Sequence, residues 1–347
     1  MPKLAVFSVQ PHDKKFLELV RGEKHPSLEV TYHTFALNTE TAILAADNEA
    51  VCVFVNDVLN ADVLTALVGH GVRAVLLRCA GYNNVDLVAA EALGLFVANV
   101  PSYSPAAVAE FAVALIQTLN RKTHRAFNRV REGNFNLEGL LGFTIRGKTV
   151  GIVGTGKIGV AFAHIMRGFG CRLLAYDPYP AAELESFVEF MELEQVLGQS
   201  DIISLHCPLI ESTWHIINEK TLSQMKKGAM LVNTSRGGLI DTNAVVASLK
   251  AQHLGGLALD VYEAEAAVFY GDHSGEIIHD DVLMRLLTFP NVIICGHQAF
   301  FTEEALEEIS GTTLHNLEDF LQGQPCPNSL LKNGHLLVRR DSHPVRV

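Results

Sequence analysis

Short apolar runs recur along the chain, each separated from the next by a helix-sized interval. In the first third they read KLAVFSV, LEVTYHTF, AVCVFV, AVLLRC and LFVANV. A second series reads TVGIVG, CRLLAYD, DIISLHC, AMLVNTS, GGLALDV and NVIICG. Runs that are apolar throughout suit strands covered on both faces. Helix-sized spacing between them calls for parallel strands joined by crossover helices. The pattern predicts two doubly wound α/β domains. Between the two series, SYSPAAVAEFAVALIQTLNRKTHRAF puts Ser104 at a helix cap and Pro105 in the first turn, where a missing N–H costs little. This helix is apolar around much of its circumference, which predicts burial, a subunit interface being one way to achieve it. A last helix is predicted over about residues 302–322, with Glu303 and Glu304 near its positive end. The closing stretch LLKNGHLLVRRDSHPVRV has no clean period and reads as a tail.

Bulk properties narrow the function classes. The chain has 347 residues, enough for two domains with substantial cores. Its formal charge of −11 argues against general affinity for nucleic acid or anionic membrane. The opening MPKLAVFSVQPHDKK lacks the pattern of a signal peptide, and no apolar run reaches the roughly 18 residues of a membrane span. Six scattered cysteines without a Cys-x-x-Cys pair read as reduced thiols, so a cytoplasmic location is expected. The histidines lack ligand spacing on a helix face, so no metal site is expected.

The first chemical signal is VGIVGTGKIG. It places Gly154, Gly156 and Gly159 between an apolar strand and a helix start. The first glycine permits a tight turn, the second lets a pyrophosphate approach the backbone, and the third lets helix and strand pack closely. By itself the motif equally describes an ordinary strand–helix turn. The next strand, however, ends in Asp177, where a carboxylate would meet the adenosine ribose. Asp177 would also repel a 2′-phosphate, so the expected cofactor is NAD(H) rather than NADP(H).

Later strand ends carry His206, Arg236, Asp260 with Glu265, and His297. Each has a bland reading as a surface pair, a turn cap or a solvated loop. Ligands of open α/β sheets gather at the carboxyl ends of strands, so together these residues form a coherent set. Reduction of a 2-oxo acid needs a guanidinium fork for the carboxylate and carbonyl, and a histidine to protonate the oxygen. It also needs a carboxylate to orient that histidine and favour its charged form. Arg236, His297 and Glu265 supply these three groups.

These residues, with AVCVFVND, LRCAGYNNVDL, VPSYSPAAVAE, GKTVGIVGTGKIGVA, LLAYDPYP, VNTSRGGLID, LDVYEAE and GHQAFFTEEAL, carry a resemblance to a known family. The chain resembles the D-isomer-specific 2-hydroxyacid dehydrogenases, and among them the bacterial fermentative D-lactate-forming branch, over nearly its whole length. The resemblance implies NADH-dependent, reversible reduction of pyruvate to D-lactate. It implies that Arg236 binds substrate, that His297 is the acid/base and that Glu265 is its partner. Tyr103, the backbone N–H groups of Ala80 and Gly81, and Phe300 would complete the substrate site. Gly154, Gly156, Lys157, Ile158, Gly159, Asp177, Cys207, Pro208, Thr213 and Thr234 would line the cofactor site, with Asp260 near the nicotinamide. The implied architecture is a flavodoxin-like substrate domain at 1–101 plus 298–333, a Rossmann domain at 102–297, an active-site cleft between them and a tail at 334–347. A homo-oligomer, dimer or tetramer, is implied as well.

Three other readings are weighed. A dehydrogenase for a longer acid such as 2-oxoisocaproate differs only in pocket size. A phosphoglycerate-type enzyme is disfavoured, because Arg78 is the only cation in the candidate substrate loops CVFVNDV and LRCAGYNN. A non-catalytic NADH-sensing protein keeps the same residues, and turnover separates it from an enzyme. Cys207 and Cys295 lie near site positions, which predicts mild sensitivity to thiol reagents.

Overall fold

Leu4, Ala5 and Val6 lie on a strand with no exposed surface, and they set the pattern for the first sheet. The computed structural model describes residues 1–265, 268–332, 335 and 336. The chain divides into two units, Met1–Ser104 with the described residues among 300–336, and Pro105–Ala299. The first unit runs β1 (Lys3–Val6), α1 (Pro11–Lys24), β2 (Glu29–Tyr32), β3 (Ala50–Val53), α2 (Ala61–Gly69), β4 (Ala74–Leu77), α3 (Leu87–Ala92) and β5 (Phe96–Ala98). The second opens with α4 (Pro105–Arg121) and α5 (Thr123–Arg131), then β6 (Thr149–Val153), α6 (Lys157–Gly168), β7 (Arg172–Tyr176) and β8 (Val188–Phe190). It continues through α7 (Leu193–Gln199), β9 (Ile202–Leu205), α8 (Glu219–Gln224), β10 (Met230–Asn233), α9 (Thr242–Lys250), β11 (Gly256–Leu259), α10 (Asp281–Leu287) and β12 (Val292–Ile294). The chain then returns to the first unit with α11 (Glu303–Gln322), β13 (Leu331–Lys332) and β14 (His335–Leu336).

The first sheet has the order β2-β1-β3-β4-β5, all parallel. Successive strand residues point to opposite faces, and both faces are dry. Ala5, Val51, Val53, Val75 and Leu77 pack with α2 and α3 residues such as Leu64, Leu67 and Ala90. Leu4, Val6, Cys52 and Leu76 pack with Leu17 and Val20 of α1 and with Leu314 and Leu317 of α11. The second sheet has the order β12-β11-β10-β9-β6-β7-β8, again parallel. Its sequence order reverses between β6 and β9, the switch point at which doubly wound sheets bind nucleotides.

The elements follow the apolar runs closely. Helix α11 starts where expected, with Thr302 Oγ1 accepting from Ala305 N at 3.2 Å, and it ends on Gly323 at φ +65°. Two features were not legible. Strand β8 has three residues and buries only Val188; as an edge strand it has one neighbour, and Glu189 reaches back to Arg172 of β7 at 2.7 Å. The stretch read as a tail also begins with an antiparallel pair, Leu331 opposite Leu336 and Lys332 opposite His335. Two residues per strand are too few to show a period. Residues 333, 334 and 337–347 lie outside the described residues.

Beneath the carboxyl ends of the first sheet lies a buried polar network. Arg78, 2% exposed, donates to Phe7 O at 2.9 Å and Ser8 O at 2.8 Å, approaches Asp13 Oδ2 at 3.4 Å, and stacks over the Phe54 ring. Asp57 accepts from Ser8 Oγ and Leu37 N at 2.7 Å and from Phe54 N at 2.6 Å. Burial raises the Asp57 carboxyl above its usual range, and these bonds act against that rise. The network ties together the loops that follow β1, β2, β3 and β4. Replacing Arg78 by Met leaves two buried carbonyls without its donors and Asp13 without its guanidinium partner. We expect a stability loss of about 3 kcal/mol, read as a lower urea midpoint; an unchanged midpoint would show that the network is dispensable.

Candidate functional site

The turn from β6 into α6 requires glycine at three positions for three different reasons. Gly154 sits at φ +97°, and a Cβ there would lie 2.6 Å from Cys207 N. At Gly159 a Cβ would collide with Gly154 O, so this residue sets the approach of helix to turn. Gly156 caps α6 in extended geometry, and apart from its chain neighbours no atom of the described residues lies within 4 Å of where its Cβ would stand. The protein itself therefore has no packing need for glycine at 156, whereas a ligand approaching the helix N-terminus does. Lys157 and Ile158 form the first turn of α6, whose free N–H groups face that approach. Asp177 follows β7; its Oδ2 accepts from Thr155 N at 2.5 Å and Thr155 Oγ1 at 3.0 Å, and its Oδ1 accepts from Tyr179 N at 2.8 Å. The carboxylate is thus held beside the glycine turn, where a ribose diol of a dinucleotide would lie. These residues fit a nicotinamide dinucleotide.

Beyond the switch point, β9 leads into His206, Cys207 and Pro208. His206 Nε2 bonds Ser204 Oγ at 2.9 Å, its ring lies 4.8 Å from that of Phe162, and its Nδ1 is buried without a partner among the described residues. Burial pushes its pKa down to about 3, so His206 is a neutral, packed histidine. Burial also pushes the Cys207 thiol up to about 12. Little thiolate exists near neutral pH, and the structure weighs against the reagent sensitivity expected from its position. Thr213 Oγ1 donates to Pro208 O at 2.6 Å and accepts from Ile210 N at 2.9 Å, shaping this loop. Thr234, after β10, is buried with its Oγ1 unpaired among the described residues.

The next three loops hold the charged groups. Asn233, fully buried at the end of β10, donates from Nδ2 to Arg236 O at 2.8 Å and accepts from Ser235 N at 3.0 Å. Arg236 donates from Nη1 to Ser235 O at 2.7 Å, and its guanidinium has no acidic partner among the described residues. After β11, Asp260 is fully buried and accepts from Gln298 N at 2.8 Å and Ala299 N at 2.9 Å. Burial raises its carboxyl, and those backbone bonds oppose the rise. His297 N donates to Asp260 O at 2.7 Å. These bonds pin His297 at φ +54°, a left-handed conformation that a non-glycine residue adopts only under such constraint. Strand β12 therefore stops where it does because Asp260 seizes the backbone that follows it.

That constraint delivers the pairing expected from sequence. His297 Nδ1 and Glu265 Oε1 lie 2.9 Å apart, both largely buried. Glu265 Oε2 also accepts from Tyr262 N at 3.0 Å. A histidine whose Nδ1–H is held by a carboxylate presents Nε2 as its working nitrogen. Asn233, Ser235 and Tyr262 were not singled out from sequence. Asn233 had a signal, since a short polar side chain three residues before Arg236 can brace the turn.

In the first unit, Phe300 lies between Phe54 and Tyr103, with ring centroids 6.2 and 6.1 Å away. Ala80 O accepts from Asn99 Nδ2 at 2.8 Å, and Gly81 O accepts from Cys79 Sγ at 3.2 Å. Ala80 and Gly81 thus belong to a loop shaped from beneath. Among the described residues, no cluster of three or more metal-ligating side chains occurs, and no helix is long and apolar enough to cross a membrane.

Residues 113–299 match the family model described as D-isomer specific 2-hydroxyacid dehydrogenase, NAD binding domain. The chain is 66% identical to a 2-hydroxyacid dehydrogenase A of Aspergillus oryzae, over 99% of this chain and all of that one. It is 61% identical to a D-lactate dehydrogenase of Curvularia clavata, over 99% of this chain and all of the relative. The apo-structure of D-lactate dehydrogenase from Escherichia coli superposes with a TM-score of 0.87 at 51% identity, covering 95% of this chain and 100% of that one.

Two expectations follow from the geometry. Gly156→Ala should leave the thermal midpoint within about 2 °C but weaken NADH at least roughly tenfold by fluorescence titration, because the added methyl meets ligand rather than protein. Gly159→Ala should lower both; equal behaviour of the two variants would contradict the assignment. For His206, the native pKa is depressed, so the stability it contributes is present above about 6.5 and is lost as pH falls toward about 3. Urea midpoints from pH 7 to 5 should decline less steeply in His206→Gln, by up to about 2 kcal/mol at pH 5.

Proposed function

The chain belongs to the D-isomer-specific 2-hydroxyacid dehydrogenases, with NAD as its cofactor, and from that premise we propose that it reduces pyruvate to D-lactate. The observation that carries this reading is the Glu265–His297 pair, one strand away from the loop of Arg236, whose guanidinium has no acidic partner among the described residues, on the nucleotide-binding sheet. Bound along the Gly154–Gly159 turn, NADH would supply a hydride to the carbonyl carbon. The protein supplies the rest. Arg236 grips the carboxylate and polarises the carbonyl through its fork of donors. Protonated His297 gives its Nε2 proton to the carbonyl oxygen, so hydride and proton together make the hydroxyl. Glu265 holds the Nδ1 proton, which fixes the ring and stabilises the imidazolium before transfer. In the reverse direction neutral His297 takes the proton back. The N–H groups of Ala80 and Gly81 and the hydroxyl of Tyr103 are proposed to bind the substrate, and Phe300 to bound its side chain.

Two of the similar proteins above are D-lactate dehydrogenases by name, which favours pyruvate over a longer acid. Arg78 is committed to main-chain carbonyls inside the first unit, which weighs against a phosphorylated substrate. A fermentative role in the cytoplasm accords with this reading. A homo-oligomer is proposed as well. Phe127 of α5 is 62% exposed, and Phe135, Leu137 and Leu141 after it are 73%, 80% and 87% exposed. So much apolar surface on one segment is the mark of an interaction site.

Purified protein should oxidise NADH with pyruvate at a kcat/KM well above that for 2-oxoisocaproate or 3-phosphohydroxypyruvate, and chiral analysis should find D-lactate. Preference for the branched acid would keep the chemistry and change the substrate. Tight NADH binding without turnover of any 2-oxo acid would support a sensor instead. His297→Gln should lower kcat by roughly two to four orders of magnitude, while NADH affinity stays within a few-fold; near-normal turnover would remove its role.

A further inference from the structure

Glu265 is not the only glutamate of its loop that holds a histidine. Two residues earlier, Glu263 Oε1 lies 2.6 Å from His215 Nε2. Its Oε2 accepts from Thr242 Oγ1 at 2.9 Å and approaches Thr242 N at 3.4 Å. Thr242 opens α9, so the carboxylate also sits at a positive helix end. His215 and Glu263 are 28% and 25% exposed, which makes the pair a partly shielded contact rather than a solvated one.

Both partners are anchored in backbone. His215 stands at φ +49°; its N donates to Gly238 O at 2.9 Å, and its O accepts from Asn218 Nδ2 at 2.8 Å. The Trp214 ring stacks on the His215 ring at 4.5 Å and 19°, and it also packs against Gly238. On the other side, a Cβ at Gly237 would collide with the Tyr262 carbonyl and crowd Glu263 N. The turn that begins with Arg236 is therefore pressed between the loop after β9 and the loop after β11. His215–Glu263 closes that sandwich. A carboxylate at 263 binds one way, to His215 and Thr242, and the carboxylate at 265 binds the other way, to His297 and Tyr262 N.

We propose that His215 and Glu263 are positioning residues, a second histidine–glutamate pair that locks the 262–265 loop against the Arg236 turn so that Glu265 meets His297 in working geometry. The inference rests on the dehydrogenase reading above. Neither residue need touch substrate. Small displacements of a catalytic group are costly, of the order of a hundredfold for about 1 Å, so a clamp on this loop acts on rate rather than on cofactor affinity.

The test compares wild type, Glu263→Gln, His215→Gln and His215→Leu in the same NADH-oxidation assay, with NADH Kd and thermal midpoints measured alongside. Glu263→Gln should lower kcat roughly tenfold and leave NADH Kd within threefold. His215→Leu should do the same. His215→Gln, which keeps a donor near the Nε2 position, should recover most of the rate. In a Glu265→Gln background the further change Glu263→Gln should cost less than twofold, because its route to the reaction is already broken. A full tenfold loss in that background would overturn the proposal, as would unchanged kcat in the single variants. Equal loss in His215→Gln and His215→Leu, with midpoints falling together, would also overturn it, showing a general structural role. A wild-type protein that turns over no 2-oxo acid would refute the underlying reaction and the proposal with it, and that outcome is read before any variant is compared.

Discussion

Every strand in both large sheets runs parallel to its neighbours, and that constraint organises the molecule. Parallel strands joined by crossovers all end on the same edge, so their carboxyl-end loops collect there. Loops distant in sequence become neighbours without any need to recognise one another. Arg236, Glu265 and His297 are brought to one edge because β10, β11 and β12 are adjacent and point the same way. The glycine turn and Asp177 share that edge because β6 and β7 do too.

Within the edge, buried polar groups replace packing as the agent of precision. Asp260 never needs to face a ligand to matter. Fully buried and bonded to the N–H groups of residues 298 and 299, it holds His297 in a conformation the residue would not otherwise keep. Asn233 does the same for the Arg236 turn, and Arg78 with Asp57 does it for the loops of the first sheet. In each case a charge or amide out of water is costly unless fully bonded, so the network has one good arrangement and resists others.

The division between rigid support and free chemistry follows from this. His206 and Cys207 are ionisable, yet burial keeps one neutral and the other protonated, so they serve as packing at the switch point. Arg236 is the opposite case: its backbone is fixed, and its guanidinium is left without a carboxylate among the described residues. Glu265 and His297 stand between these extremes: His297 Nδ1 and Glu265 Oε1 satisfy each other, and the imidazole Nε2 lies outside that pair.

The sequence by itself determined the strands, their parallel arrangement and the chemistry of their ends. Uniform apolar runs such as AVCV and AVLL can only be covered on both faces, and Gly154, Gly156 and Gly159 need no partner to declare a tight turn. Arg236, Glu265 and His297 were legible because each follows an apolar run. Their pairing was decided by tertiary structure, since a bond between residues 265 and 297 depends on strand order and on what Asp260 does to the chain between. The same holds for β8, too short to show a period, and for Arg78, the one cation of the candidate substrate loops, whose burial against main-chain carbonyls depends on the fold. A side chain's type is written locally. Whether it faces water, a partner or a reactant is set by residues far away in the chain, and only folding brings them within reach.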